Sequence, residues 1–193
     1  MIIYLSRHGE SIYNTEDRIG GNSDLSPKGY IYASKLADYV NTMPKLEVWT
    51  SKLIRTINTA MLCKHTKKEF KELNEINAGD FENLTFSEVK IKHSVEYNKR
   101  KLDKLNYRYY NGESYVDLIQ RVEPILKNAI NRVKELPLLI VAHQAILRVI
   151  YGKLCEVEDE KIPHLSIPLH TLFRIKLDNN FRIMNIEKIT FKI

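Results

Sequence analysis

Short apolar runs alternate along the chain with stretches in which apolar residues recur at helical spacing. The runs that predict buried strands cover residues 2–5, 46–50 and 138–142. The run 138–142 is apolar throughout, as expected of a strand that is buried on both faces. Residues 170–176 and 181–189 alternate roughly with period two around Asp178-Asn179-Asn180, which predicts a closing hairpin.

Helix starts are marked by capping residues in front of apolar stripes. Ser26-Pro27 combines a capping side chain with proline at the first helical position, and helical spacing recurs over residues 54–61. Ser114, with Asp117 three residues later, resembles a capping box in front of a long apolar stripe. Pro124 lies inside that stripe and predicts either a kink or a late start of the helix.

This order of strands and helices predicts an α/β layer fold. Ligands of such folds bind beyond the carboxyl ends of the strands, where the polar residues after Leu5 and after Ala142 fall. Residues 67–112 are more polar and show little periodicity, so we expect an excursion of partly helical loops there. We treat residues 1–193 as a single domain, because no linker, repeat or low-complexity tract divides them.

Charge and composition narrow the classes of partner. Thirty Lys and Arg against 24 Asp and Glu give a net charge of +6, which favours small anions such as phosphates and falls short of a nucleic-acid footprint. Two distant cysteines suggest neither a disulfide framework nor a zinc site, and the six histidines form no metal motif. Without an apolar run of membrane length or a signal-peptide pattern, we expect a cytoplasmic protein that uses no membrane, metal or cofactor.

The string Arg7-His8-Gly9-Glu10-Ser11, with Asn14 shortly after it, follows the first predicted strand. A histidine beside an arginine at a strand end can attack phosphorus, because the arginine neutralises phosphate charge that would repel the nucleophile. The string resembles the signature of the histidine phosphatase superfamily, also called the phosphoglycerate mutase-like family. That resemblance implies a three-layer fold with a mostly parallel central sheet flanked by helices.

The same resemblance assigns a role to each of five residues. His8 would be the nucleophile, Arg7 and Arg55 would bind the transferred phosphoryl group, and Glu75 would protonate the leaving alcohol. His143, after the apolar strand 138–142, would donate to phosphate oxygens in the transition state. Phosphoryl transfer depends chiefly on positioning and charge stabilisation, so this set requires no metal.

Further strings resemble the fructose-2,6-bisphosphatase family over nearly the whole chain. They are Arg18–Gly21, Leu73–Gly79, Tyr107–Arg108–Tyr109, Gly112–Tyr115, Gln120–Pro124, Ala142–Ala145 and Pro168–Thr171. Gln144 is informative, because most other members of the superfamily carry glycine after the second histidine. The resemblance implies hydrolysis of the 2-phosphate of fructose 2,6-bisphosphate through a phosphohistidine, to fructose 6-phosphate and phosphate. It leaves open a kinase domain in a parent chain or in a partner protein.

Two groups of substrate contacts are implied by this closer resemblance. Those around the 2-phosphate would be Arg7, Asn14, Gly20, Arg55 and His143. Those that hold the sugar and its 6-phosphate would be Arg100, Lys104, Tyr115, Gln144 and Arg148. Arg100 and Lys104, four residues apart, are expected to share one face of a helical turn.

One departure and two alternatives stay open. Phe86 stands where the family usually has a tyrosine that contacts the 6-phosphate. Another phosphatase or mutase of the superfamily, acting on phosphoglycerates or on a broad set of monoesters, would carry the same core motifs. A regulatory module that keeps the phosphate pocket without catalysis is the alternative from another class, although the intact catalytic set argues against it.

Overall fold

The computed structural model describes residues 1–193 and contains one six-stranded sheet in the order β3-β2-β4-β1-β5-β6. The strands are β1 (Ile2–Arg7), β2 (Glu47–Thr50), β3 (Thr66–Glu69), β4 (Leu138–Ala142), β5 (Thr171–Leu177) and β6 (Ile183–Thr190). Neighbours from β3 to β1 are parallel, whereas β5 is antiparallel to both β1 and β6. The predicted strands and the closing hairpin are confirmed.

Helices cover both faces of this sheet, as a three-layer α/β fold requires. They are α1 (Ile12–Thr15), α2 (Pro27–Val40), α3 (Ile54–Thr59), α4 (Phe86–Lys92), α5 (Ser94–Leu102), α6 (Tyr115–Arg132) and α7 (Gln144–Leu154). Three short 3₁₀ turns cover Lys71–Leu73, Gly79–Phe81 and Ile162–His164. The side chains of β4 alternate between the layers: Ile140 packs with α6 and α7, and Leu139 packs with α2. The predicted fold class is confirmed.

Helix α6 passes through Pro124 without the late start that the proline suggested. It begins at Tyr115, where the Ser114 side chain and Asp117 form the predicted capping box. Proline in a helix interior removes a backbone hydrogen bond and costs about 3 kcal/mol. The stripe from Leu118 to Ala129 is buried against the sheet, and this packing offsets that cost.

The polar stretch from residue 67 differs in part from its prediction. Residues 66–69 form β3, an edge strand of the central sheet, and only the residues beyond it leave the sheet. All four β3 side chains are exposed, so no apolar alternation marked the strand; its parallel pairing with β2 forms it. Helices α4 and α5 then confirm the predicted helical content of the excursion.

Arg100 and Lys104 do not share a helical turn, and that prediction is wrong. Helix α5 ends at Leu102, and the next residue, Asp103, has a non-helical backbone with φ −138° and ψ 83°. Lys104 therefore follows the helix that carries Arg100. No helix of the structure has both the length and the apolar character that a membrane span needs.

Candidate active site

The two predicted histidines meet because their strands are parallel neighbours. The register of β1 and β4 pairs Arg7 with Ala142, so that the next residue of each strand is a histidine. The His8 backbone N–H donates to the Ala142 carbonyl at 2.9 Å. The ring centroids of His8 and His143 lie 5.2 Å apart, and both residues are buried. The sheet register thus sets the spacing of the two rings.

His8 is held as a neutral imidazole with one nitrogen available for attack. Its Nδ1 lies 2.7 Å from the Gly9 carbonyl, which can only accept, so Nδ1 carries the proton. Burial lowers the pKa of His8 well below its ordinary value, and the charges of Arg55 and Arg7 lower it further. Its Nε2 therefore keeps a lone pair at neutral pH and accepts from Arg55 Nε at 3.2 Å.

Two arginines flank His8: Arg55 is buried and Arg7 is half-buried. Arg55, at the start of α3, donates Nη1–H to the Gly21 carbonyl at 2.8 Å. Burial lowers the pKa of Arg7 to about 10, with the Glu75 carboxylate acting against that shift, and Arg7 stays charged at neutral pH. Its Nε is buried and has no hydrogen-bond partner. A guanidinium with spare donors suits a phosphate, because each offers several N–H groups in a planar fork.

Glu75 lines a cavity together with His8 and the two arginines, and it lies in the loop after the first 3₁₀ turn. Its Oε1 accepts from the Ile76 N–H at 3.0 Å and from the Ala145 N–H, at the start of α7, at 3.2 Å. These backbone donors fix the carboxylate beside the two arginines. Burial lowers the pKa values of both arginines, and the negative charge of Glu75 opposes that lowering. A carboxylate in this position can exchange a proton with a bound ester oxygen.

Arg121 of α6 holds the Glu75 loop and was missed by the sequence analysis as a functional residue. It donates to three nearby backbone carbonyls, those of Glu72 at 2.8 Å, Asn74 at 3.0 Å and Glu75 at 3.3 Å. A salt bridge to Glu113 at 2.7 Å orients the guanidinium. The string containing Arg121 was noticed, but its backbone contacts span 46 residues or more and leave no local pattern.

The loop around α1 closes the cavity on the side of His8. Asn14 Oδ1 accepts from the Ser11 N–H at 3.0 Å, which leaves the Asn14 amide N–H groups for a ligand. Gly20 has φ +61°, a conformation that strains any residue with a side chain, and a Cβ there would also contact the Glu82 carboxylate. Only glycine fits this turn without strain.

A second group of cations lies around Tyr115. Arg148 donates to the Tyr115 hydroxyl at 3.2 Å and to the Leu165 carbonyl at 2.7 Å. Lys104 donates to the Pro163 carbonyl at 2.8 Å, and its Nζ lies 6.0 Å from the Tyr115 ring centroid. Burial lowers the pKa of Lys104 to about 8, with further lowering by the charges of Arg148 and Arg100. An anion at this position would relieve the mutual repulsion of these cations.

One cavity connects the two groups. Every predicted site residue lines it except His143, whose ring centroid lies 5.2 Å from that of His8, and Lys104, whose Nζ lies 6.0 Å from the Tyr115 ring centroid. The lining residues with no predicted role are Ser11, Tyr13, Arg18, Ile19, Ile76, Tyr109 and Ala145. Tyr109, which stacks beneath the Arg100 guanidinium at 5.6 Å, had only its aromatic setting as a signal. Phe86 also lines the cavity, at the first position of α4.

Comparison with known proteins agrees with this geometry. The model of the histidine phosphatase superfamily (branch 1) matches residues 3–186. Fructose-2,6-bisphosphatase of Saccharomyces cerevisiae is 42% identical over 177 residues, which are 90% of this chain and 38% of that protein. The 6-phosphofructo-2-kinase/fructose-2,6-bisphosphatase of Arabidopsis thaliana is 42% identical over 180 residues, 91% of this chain and 24% of that protein.

This chain therefore spans less than half the length of those two relatives. Among solved structures, the alpha-ribazole phosphatase of Shigella flexneri superposes with a TM-score of 0.86 at 24% identity, covering 95% of this chain and 93% of that one. At that identity the likeness supports the fold alone. The match over residues 3–186 and the 42% identity to curated relatives establish that the chain belongs to the histidine phosphatase superfamily, branch 1.

Proposed function

We propose that the protein hydrolyses the 2-phosphate of fructose 2,6-bisphosphate and releases fructose 6-phosphate and inorganic phosphate. The observation that carries the proposal is the placement of two groups of cations on one cavity. Arg7 and Arg55 flank His8, while Arg100 and Arg148 line the cavity with Tyr115 and Lys104 Nζ lies 6.0 Å from the Tyr115 ring centroid. A small sugar with two phosphates would satisfy both groups. The curated relatives named for this activity support the assignment.

In the first step, the Nε2 lone pair of His8 attacks the 2-phosphoryl group. The N–P bond forms as the P–O bond to the sugar breaks, and Glu75, acting here in its carboxylic acid form, gives that proton to the departing sugar oxygen. The Arg55 Nε–H, which points at His8 Nε2, moves to a phosphoryl oxygen as the substrate enters. The arginines, together with Asn14 and His143, stabilise the charge on the transferred group.

In the second step, water attacks the phosphohistidine. Glu75 takes one proton from the water as the water oxygen bonds to phosphorus and the N–P bond breaks, and the phosphate leaves carrying that oxygen. The second step thus returns both His8 and Glu75 to their starting states, and positioning and charge stabilisation are supplied by the protein's own side chains.

The far contacts are assigned to the sugar and its 6-phosphate. Arg100, Lys104 and Arg148 supply charge there, and Tyr115 and Gln144 offer hydrogen bonds.

We assign the whole of residues 1–193 to one catalytic unit of the cytoplasm. Both cysteines, Cys63 and Cys155, are free thiols, which suits a reducing compartment. A kinase domain, in a parent chain or in a partner protein, would form the substrate that this unit consumes, as the names of the bifunctional relatives suggest.

The test is phosphate release from fructose 2,6-bisphosphate, with three comparison substrates: 3-phosphoglycerate, fructose 1,6-bisphosphate and p-nitrophenyl phosphate. We expect kcat/KM to favour the 2,6-bisphosphate strongly. Faster turnover of the other esters would keep the superfamily chemistry and overturn the substrate. No turnover of any substrate would favour a non-catalytic phosphate-binding module.

Phe86→Tyr should lower KM for fructose 2,6-bisphosphate about ten-fold or more, since a hydrogen bond to a charged group contributes roughly 1.5–3 kcal/mol. Phe86 lines the cavity and the new hydroxyl would restore the contact that the family's tyrosine makes. KM and kcat are measured for both proteins, and kcat should change little. Phe86→Leu, which alters the ring without adding a hydroxyl, is the matched control. An unchanged KM in Phe86→Tyr would show that the hydroxyl has no phosphate to bind.

Substrate affinity should weaken as Lys104 loses its proton. Because the pKa of Lys104 is lowered to about 8, the ammonium is present at pH 7 and largely lost at pH 9. If only the ammonium form binds the 6-phosphate, KM should rise about ten-fold between these two pH values. KM profiles for fructose 2,6-bisphosphate provide the measurement.

Two controls isolate the Lys104 effect. Lys104→Arg should flatten the profile, because a guanidinium keeps its charge throughout this range. p-Nitrophenyl phosphate has no second phosphate, so its KM should follow the same pH profile in the wild type and in Lys104→Arg. A rise that persists unchanged in Lys104→Arg would assign the titration to another group.

A further inference from the structure

A buried chain of hydroxyl groups connects His143 to the backbone before α3. Ser51 Oγ lies 2.8 Å from His143 Nε2 and 2.8 Å from Thr56 Oγ1. Thr56 Oγ1 lies 2.9 Å from the Leu53 carbonyl oxygen. Ser51, Thr56 and His143 are each fully buried, so water does not compete for these contacts. Neither hydroxyl was assigned a role by the sequence.

The direction of each hydrogen bond follows from counting protons. The Leu53 carbonyl at 2.9 Å and the Ser51 carbonyl at 3.2 Å can only accept, so the single hydroxyl proton of Thr56 goes to a backbone carbonyl, the nearer being that of Leu53. The Thr56 oxygen then accepts the Ser51 hydroxyl proton. Ser51 Oγ has no proton left, and it accepts from the Leu53 N–H at 3.0 Å and from His143 Nε2–H. Any other arrangement leaves two oxygens within 2.9 Å with no proton between them.

The other ring nitrogen of His143 is free of such contacts. Nδ1 is buried and has no hydrogen-bond partner. With Nε2 protonated, neutral His143 presents a lone pair at Nδ1, the atom that remains for a ligand beside His8. A lone pair facing a phosphate oxygen is repulsive, so an anion can dock there only if a proton lies between the two atoms.

We propose that Ser51 and Thr56 are positioning residues that hold His143 as the Nε2–H tautomer. Donation from His143 Nδ1 to a bound anion, the role that the family resemblance implies, then requires uptake of one proton at that atom. The proposal rests on the proposed function, in which His143 contacts the transferred phosphoryl group. The proton comes from solvent, no covalent bond changes, and His143 becomes an imidazolium that donates to Ser51 and to the anion.

The charges around His143 fit a proton that arrives only with the anion. Burial lowers the pKa of His143 well below its usual value, and Arg55, His8, Arg7 and Arg121 lower it further. The imidazole is therefore neutral in the free protein. Glu75, bound to the Ala145 N–H, is the carboxylate on this side of the site. A dianion among these cations offsets their repulsion and favours the imidazolium.

The tautomer can be read directly in the free protein. The ¹⁵N NMR shifts of His143, assigned by comparison with His143→Gln, should place the proton on Nε2 in the wild type. In Thr56→Val, which leaves His143 untouched, the Ser51 proton has no other acceptor and should turn to Nε2, so that the proton of His143 moves to Nδ1. A wild-type spectrum with the proton on Nδ1 would overturn the proposal, whatever the enzymatic activity.

Proton uptake is measured by calorimetry with sulfate, a dianion that carries no proton at pH 7. The reference protein is His8→Ala, which removes the nucleophile as a competing proton acceptor. Titration in buffers of different ionisation enthalpy should give about one proton bound per sulfate at the site. Adding Ser51→Ala or Thr56→Val should reduce that uptake to near zero, because neutral His143 then already donates from Nδ1.

Thr50→Val is the matched control for this series. Thr50 precedes Ser51, is buried, and has a hydroxyl without any hydrogen-bond partner. Its replacement should leave the proton uptake unchanged. Uptake that survives in both Ser51→Ala and Thr56→Val would refute the role of the hydroxyl chain. Because neither the tautomer nor the sulfate uptake requires turnover, this result is independent of the substrate panel that tests the proposed function.

Discussion

His8→Ala protein should form no phosphoenzyme and should lose at least about 10⁴-fold in kcat, the scale on which enzymes respond to removal of a nucleophile. The buried Nε2 of His8 is the atom with an available lone pair between Arg7 and Arg55. Mixing enzyme with fructose 2,6-bisphosphate, stopping the reaction under alkaline conditions and weighing the intact protein would detect the phosphohistidine.

A histidine outside the cavity provides the control for that experiment. His65 contacts the Val40 carbonyl at 2.9 Å and does not line the substrate cavity, so His65→Ala should retain the phosphoenzyme and its turnover. A phosphoprotein of normal yield in His8→Ala would move the nucleophile to another residue. That result would leave the fold assignment intact but remove the central step of the proposed mechanism.

Glu75→Gln should reduce kcat by about 10²–10⁴-fold while KM changes little, because the amide cannot give or take the proton. Its side-chain oxygen can still accept from the Ile76 and Ala145 N–H groups, so the loop should keep its position. Single-turnover kinetics separate formation of the phosphoenzyme from its hydrolysis, and both steps should slow with fructose 2,6-bisphosphate.

The leaving group provides a sharper discrimination for Glu75. p-Nitrophenolate leaves without needing a proton, so formation of the phosphoenzyme from p-nitrophenyl phosphate should be nearly as fast in Glu75→Gln as in the wild type. Glu72→Gln, an exposed carboxylate in the same loop, is the matched control and should behave as the wild type does. Equal losses with both substrates in the first step would argue that Glu75 holds the site together and does not transfer a proton.

The sequence predicted those strands and helices whose buried side chains recur at a regular spacing along the chain. The strands β1 and β4, and the stripe of α6, are apolar at the spacing that their packing requires. The strand β3 is exposed along its length and is formed by pairing with β2, so its residues carried no such signal. Pro124 shows the converse, since packing of α6 overrode a local preference.

The candidate site divides in the same way. Residues such as His8 and Arg55 are recognisable because their motifs lie next to strand ends and helix starts. Ser51 and Arg121 contact residues far away in the sequence; Ser51 and His143, for example, are 92 residues apart. A serine after a strand or an arginine in a helix is too common to predict such contacts. These contacts form only in the folded protein, where each buried donor lies beside its acceptor.

The register that places His8 beside His143 belongs to the centre of the sheet, whereas Arg100 and Phe86 belong to helices of the excursion. Local openings of a protein are easiest where buried contacts are few, and α5 buries no residue fully. The part of the proposed sugar site that the excursion supplies therefore lies in a region of lower stability than the strand pair that holds the two histidines. Substitutions in the excursion can change the fit of the far phosphate while the spacing of the two rings stays unchanged.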